Sequence, residues 1–320
     1  MSEQQTTARV LRQGFLGPDG TFCAAALRAW DPEGRAEHVP FATVPQALKA
    51  LRAGEIDATM APIENSVEGG VPATLDALSQ GTQLHIVGEV LVPVTFVLAA
   101  RPRPDGSRMP LADVGAVGTH AHAWAQVRTW AEANLGGAAY VPTLSTAAAA
   151  EALARTGELP YQAAVCAPNA AATFGLDVLA EGIGDNGGAV TRFVLVALPG
   201  RLPAPTGADK TTVVLFQKLD RAGGLLELLE QFAVRGVNMV RLESRPTGEA
   251  MGSYCFSIDF EGHLAEERVR ESLIGLKRVC ADVRFLGSYP RADGQRGLVD
   301  PGMRDGDFVA AREWIDALGG

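Results

Sequence analysis

The sequence predicts an α/β protein in two parts: a larger region built on mostly parallel strands, then a smaller ferredoxin-like unit of order βαββαβ. Three observations predict it. Over residues 10–198, short apolar runs alternate with alanine-rich stretches at helical spacing, the pattern of strands joined by crossover helices. Residues 199–209 then gather Pro199, Pro203 and Pro205 with Gly200 and Gly207, a composition that makes an extended linker with no core of its own. Beyond the linker, strand and helix signals follow the order of the split βαβ motif.

The first strand signal runs into Gly14-Phe15-Leu16-Gly17-Pro18-Asp19-Gly20-Thr21-Phe22, and a helix follows over residues 23–30. Another apolar strand ends in Pro62-Ile63-Glu64-Asn65-Ser66, and a third, at residues 194–198, follows the glycine-rich stretch Gly182-Ile183-Gly184-Asp185-Asn186-Gly187-Gly188. In the second region residues 211–216 read as a strand, and Leu225, Leu226, Leu228, Leu229 and Phe232 fall on one helix. Strands over 237–242 and 254–260 flank the turn-like Pro246-Thr247-Gly248, a helix covers 265–279, and a strand over 283–289 closes the unit. The resulting partition is 1–198, linker 199–209, 210–290, and a tail 291–320. In that tail Phe308, Ala311, Ile315 and Leu318 share one face of a short helix expected to dock on a neighbouring surface.

Composition narrows the function. With 47% hydrophobic residues, 20% charged and a formal charge of −9, the 320-residue chain reads as globular. No basic run exists to track a phosphate backbone, so nucleic acid is excluded as a partner. The most apolar stretch, residues 84–100, is broken by His85, Glu89 and Pro93, which excludes a spanning helix. The polar first residues lack the apolar centre of a signal peptide, so a cytoplasmic location is expected. Cys23, Cys166, Cys255 and Cys280 have no metal-type spacing and suit reduced thiols.

Three segments could carry chemistry. A strand, a glycine-rich turn and a helix start around Thr21 make a natural anion site; a tight turn with Thr21 as helix cap explains the same residues. Glu64-Asn65-Ser66 places a carboxylate, an amide and a hydroxyl at the carboxyl end of a strand, where open α/β sheets bind ligands, or else simply shapes a turn. In Ala189-Val190-Thr191-Arg192-Phe193 a hydroxyl and a guanidinium stand side by side and can engage an anion together, although such pairs are also common on surfaces. His120 and His122 occupy alternate positions on a predicted helix, point in different directions, and have no third ligand, so no metal site is expected.

These segments, in this order and ahead of a βαββαβ unit, resemble prephenate dehydratase. Matching stretches include Gly17-Pro18-Asp19-Gly20-Thr21-Phe22, Pro62-Ile63-Glu64-Asn65-Ser66, Ser145-Thr146-Ala147, Phe174-Gly175-Leu176 and Thr191-Arg192-Phe193, and residues 238–246 are similar to an ACT-domain signature ending in Glu243-Ser244-Arg245-Pro246. The resemblance implies a two-lobed, periplasmic-binding-protein-like (type II) catalytic domain followed by a ferredoxin-like ACT regulatory domain, with the chain crossing between lobes near residues 91–93 and 182–191. It implies decarboxylating dehydration of prephenate to phenylpyruvate, without cofactor or metal, in phenylalanine biosynthesis. It further implies feedback by phenylalanine and a homodimer or homotetramer. Arogenate dehydratase and a non-catalytic amino-acid receptor are the alternatives.

By the same resemblance, Thr191 contacts the departing hydroxyl and Glu64 is the carboxyl beside it, either protonated and donating or ionised and orienting its neighbours. Thr21, Asn65, Ser66, Gln126, Ser145, Arg192 and Phe193 line the substrate, and Gly223, Gly224, Leu225, Asn238, Met239, Glu243 and Ser244 hold the effector. The sequence departs from the family pattern at Ala189, where Asn is usual, at His120-Ala121-His122 in place of His-Pro-Gln, at Ala222-Gly223-Gly224-Leu225 in place of Pro-Gly-Ala-Leu, and at Val240, where Thr is common.

Overall fold

A computed structural model describes residues 9–155, 157–219, 221–247 and 254–319. Gly248 of the expected turn lies outside them. Two compact units divide the chain, Met1–Gly69 with Val90–Phe193, and Gly70–Glu89 with Val194–Gly320.

The first unit carries two sheets. One forms from β1 (Arg12–Leu16), β2 (Glu37–Phe41) and β3 (Ala58–Asn65), with α1 (Phe22–Trp30) and α2 (Val44–Arg52) as crossovers and a two-residue strand β4 (Gly69–Gly70) on β3. After α3 (Pro72–Ser79), β5 (His85–Pro93) ends this stretch of chain. The other sheet holds β6 (Val97–Ala100), β7 (Ala116–Thr119), β8 (Ala139–Pro142), β9 (Ala163–Cys166) and β10 (Asp177–Ala180). Its crossovers are α4 (Ala121–Ala125), α5 (Arg128–Asn134), α6 (Thr146–Ala154) and α7 (Pro168–Thr173). Strand β11 (Val190–Ala197) then returns to the first sheet.

The strand orders are β2-β1-β3-β11-β5 and β10-β6-β9-β7-β8. Each sheet has a core of three parallel strands, β2-β1-β3 in one and β9-β7-β8 in the other, and in the second sheet β6 lies antiparallel to both β9 and β10. The chain leaves the first sheet after Pro93 and re-enters it at Val190, close to the expected crossings. The second sheet is clothed on one side by Val117, Val127 and Leu135 and on the other by Ala149, Leu153 and Tyr161. Space against the sheet is short: a Cβ on Gly118 would come within 2.6 Å of the Tyr161 ring.

The second unit contains β12 (Asp209–Phe216), α8 (Gly224–Ala233), β13 (Met239–Pro246), β14 (Tyr254–Glu261), α9 (Glu267–Val279) and β15 (Asp282–Pro290). The antiparallel order β13-β14-β12-β15 is the ferredoxin-like one. Val213, Leu215, Ile258 and Phe260 face the two helices and pack with Leu228, Phe232, Val269 and Leu276. The alternate residues of the strands carry a buried polar network instead. Arg241 donates to Asp259 at 2.9 Å through Nε and again at 2.9 Å through Nη2, Nη2 also reaches Ser257 Oγ at 2.8 Å, and the Thr212 hydroxyl donates to Asp259 at 2.8 Å and lies 2.7 Å from the Tyr289 hydroxyl. One side chain or more from each of the four strands enters it.

Residues 70–89 belong to this unit through specific contacts. Lys210 Nζ donates to both oxygens of Glu89 at 3.1 and 2.9 Å, Arg245 grips Asp76 with two bonds of 2.8 Å, and Gly70 N–H donates to Glu243 at 3.1 Å. The tail helix α10 (Asp305–Leu318) has no buried residue: Phe308 is half-buried and Arg312 pairs with Glu267 at 2.9 Å, but Ile315 and Leu318 are exposed. The expected docking through the whole apolar face is thus limited to its first turns. No helix among the described residues is long and apolar enough to cross a membrane.

Candidate active site

The end of β3 and the start of β11 are tied edge to edge. Ser66 N–H donates to the Val190 carbonyl at 2.9 Å, and Val190 N–H donates to Ser66 Oγ at 2.9 Å. That register sets Asn65 opposite Thr191, and Asn65 Nδ2 donates to Thr191 Oγ1 at 2.8 Å. The other end of the amide, Oδ1, accepts the N–H groups of Val67 at 2.8 Å and Glu68 at 3.1 Å, which fixes the side chain in a turn of its own making. With its oxygen used as an acceptor, the Thr191 hydroxyl keeps its proton to donate elsewhere.

Asn65 and Thr191 line a cavity of about 310 Å³. Its apolar wall includes Phe22 and Phe96, whose rings meet edge to face at 5.8 Å. Ser145 and Thr146 bring the start of α6, where Ser145 Oγ accepts the Ala148 N–H at 2.9 Å and so caps the helix. Uncapped amides of that first turn and the helix dipole favour a negative group there. Gln126, His120 and His122 complete the rim with Glu68.

Sequence reading missed Glu68. One of its carboxylate oxygens lies 2.7 Å from His122 Nδ1 and the other accepts from Gln126 Nε2 at 3.2 Å. The signal was present in Glu68 standing just before Gly69-Gly70, but a lone carboxylate in a turn is ordinarily solvated. The two histidines also differ from expectation. His120 is the N-cap of α4 instead of a helical residue, so its ring stands against that of His122, with centroids 5.0 Å apart. Burial, with the charge of His122 adding to it, holds the His120 ring below the ordinary histidine range. Among the described residues no group of three or more His, Cys, Asp or Glu is arranged to hold a metal.

Glu64 and Arg192 come together but not at this cavity. Arg192 Nε donates to Glu64 at 3.1 Å, with the arginine side chain 6% exposed and the glutamate 36%. Successive side chains on a strand alternate between faces, so Glu64 and Arg192 fall on the side opposite Asn65 and Thr191. The expectation that all four face one pocket fails for this reason. Phe193 is on the Thr191 side by the same alternation and is buried in the core.

Thr21 behaves as a cap. Its hydroxyl donates to the Leu16 carbonyl at 2.9 Å and accepts the Ala24 N–H at 3.1 Å, leaving it little capacity for a ligand. The loop before it is built tightly: at Gly20, with φ of 83°, a Cβ would sit 3.0 Å from the backbone of Ala170. Ala189, in the place of an expected amide, still serves through its backbone, its carbonyl accepting the Val94 N–H at 2.8 Å. The thiols are inert, burial pushing Cys23 and Cys166 each up to about 12.

The expected effector residues are divided within one chain. Gly223, in the left-handed region at φ of 79°, opens α8, and with Gly224, Leu225 and Ser244 it lines one recess. Asn238 lines another recess, at the opposite end of α8. Met239 packs against the core, and Glu243 is occupied by the Gly70 N–H.

The two sheets, the cavity lined by Asn65 and Thr191 and the ferredoxin-like unit define a class: an α/β scaffold whose chain passes between two sheets and back, with a hydroxyl, an amide and a helix start lining one cavity, followed by a ferredoxin-like domain. A sequence model of the family described as prephenate dehydratase matches residues 13–200. The chain belongs to the prephenate dehydratase family. It is 46% identical over 308 residues to a prephenate dehydratase of Amycolatopsis methanolica, covering 96% of this chain and 97% of that one. With a prephenate dehydratase of Mycolicibacterium gilvum the identity is 42% over 315 residues, covering 95% and 97%. The crystal structure of a prephenate dehydratase in complex with L-Phe from Arthrobacter aurescens superposes with a TM-score of 0.91 at 52% identity, covering 97% of this chain and all of that one.

Proposed function

We propose that this chain converts prephenate to phenylpyruvate, carbon dioxide and water, and that phenylalanine regulates it through the ferredoxin-like ACT domain. The observation that carries the catalytic part is the Asn65–Thr191 hydrogen bond, which joins segments 126 residues apart at the cavity and leaves the hydroxyl proton free to donate. Prephenate loses its ring carboxylate as carbon dioxide; the electron pair of that bond moves through the diene and expels the hydroxyl on the opposite ring carbon. That oxygen takes up a proton and departs as water, and aromatisation drives the step.

The protein must hold a dianion in one pose and assist the leaving oxygen. Thr191 donates a hydrogen bond to that oxygen; a threonine hydroxyl is too weak an acid to surrender its proton outright, so it acts as a donor or as one link of a relay. The start of α6, with Ser145, receives a carboxylate. The ring lies against Phe22 and Phe96. Gln126 and His122 hold Glu68 at the rim. Glu64 and Arg192 brace the strands behind the site, the ionised, orienting role of Glu64 being the one the ion pair supports.

Glu64→Gln is therefore expected to keep turnover within about tenfold of the unaltered enzyme, against the ~10²- to 10⁴-fold loss a general acid would give. Steady-state kinetics separates the two. The function itself is tested by following phenylpyruvate formation from prephenate, with arogenate run beside it; no product from prephenate would refute the assignment, and phenylalanine formed faster from arogenate would turn it to the aminated substrate. If the regulatory reading holds, phenylalanine and prephenate are coupled by ~1–3 kcal/mol, read as a roughly 5- to 150-fold shift in apparent affinity. The division of effector residues between two ends of α8 supports a site completed by pairing of two chains.

A further inference from the structure

Residues beyond β15 take no part in the chemistry above, yet they are pinned at several points. Arg291 donates to Glu261 at 2.7 Å and grips Asp293 with bonds of 2.9 and 2.8 Å. Gly297 passes so close to Glu261 that a Cβ there would lie 2.5 Å from its Oε2, and a Cβ on Gly236 would stand 2.9 Å from Met303 Cγ. Asp305 accepts the first N–H of α9 at 2.8 Å, serving a helix whose own N-cap, Glu266, makes no side-chain cap bond.

Between these fixed points Arg296, Leu298 and Asp300 line, with Val237, Asn238 and Glu261, a recess of about 390 Å³. Its chemistry is mixed in a particular way. Leu298 is 90% exposed, and Arg296 has no ion-pair partner among the described residues, while Asp300 offers a carboxylate. A guanidinium fork, a carboxylate and an apolar surface around one space of this size match the carboxylate, ammonium and side chain of an apolar α-amino acid.

We propose that the tail forms a wall of the effector site at Asn238, with Arg296 binding the α-carboxylate of the amino acid, Asp300 its ammonium group, and Leu298 covering its side chain. This deepens the regulatory reading given above and rests on it. Arg296 and Leu298 are exposed, so replacing them leaves the core intact.

The test is calorimetric titration of L-phenylalanine, and of phenethylamine, which lacks the carboxylate, into the full-length enzyme and its variants, alongside turnover of prephenate. Arg296→Gln is expected to weaken L-phenylalanine about tenfold, leave the weak binding of phenethylamine unchanged, and leave kcat and KM for prephenate unchanged without effector; Arg296→Lys recovers part of the loss. An Arg296→Gln protein that binds L-phenylalanine within twofold of the unaltered enzyme would overturn the tail's role while the regulatory reading stands. An unaltered enzyme with neither heat of binding nor kinetic response to L-phenylalanine would sink both.

Discussion

Thr191→Val is expected to lower turnover by about 10²- to 10⁴-fold, the usual worth of a proton-donating group at a leaving oxygen. Val keeps the shape and the branched fit to a strand but removes the hydroxyl, so the Asn65 amide loses its acceptor and the leaving oxygen loses its donor together. Thr191→Ser keeps both bonds and is expected to retain much of the activity. Because the hydroxyl acts on the leaving group more than on binding, the loss belongs in kcat, with KM changing less. Single-turnover measurements of phenylpyruvate formation check this; a Val variant within a few-fold of the unaltered rate removes Thr191 from the reaction.

Arg241→Met is expected to destabilise the ferredoxin-like domain by about 3–5 kcal/mol, the cost of leaving a buried charge without its partner. Asp259 is fully buried and takes two bonds from Arg241, a loss that the single bond from the Thr212 hydroxyl does not make up. Removing both charges in the Arg241→Met, Asp259→Leu double variant is expected to cost less than the single change, since no ion is then stranded. Urea unfolding followed by circular dichroism measures both. A single-variant loss under about 1 kcal/mol, the range of exposed pairs, would mean that water reaches the network.

Much of this was legible in the sequence, for physical reasons that differ by segment. Strand β3 and its polar end, and the helix from Thr21, announce themselves through period and capping chemistry, which are local. The order β12, α8, β13, β14, α9, β15 was readable because each element is long enough to show its period. The resemblance implies that Glu64-Asn65-Ser66 and Thr191-Arg192 meet the same substrate, but the Asn65–Thr191 hydrogen bond needed the fold to bring it about. Glu64 and Arg192 are expected to face the substrate pocket with Thr191, although strand alternation alone turns them to the other face. Glu68, His122 and Gln126 form their triad by a contact between distant stretches, and neither residue type nor spacing could reveal it. The tail's apolar face predicted docking, but of that face only Phe308 is half-buried, and the polar Asp305 and Arg312 make the contacts of the helix to α9.

Asp305 at the head of α9 has a practical corollary. A recombinant chain cut at Pro290, the natural end of the four-stranded sheet, would begin that helix with an amide facing solvent unguarded, at a penalty of about 1 kcal/mol. Deletion series that stop there would thus weaken the fold and remove the overlying segment in one stroke, and amide hydrogen exchange at Glu267 would report the release of the C-terminus before any loss of activity did.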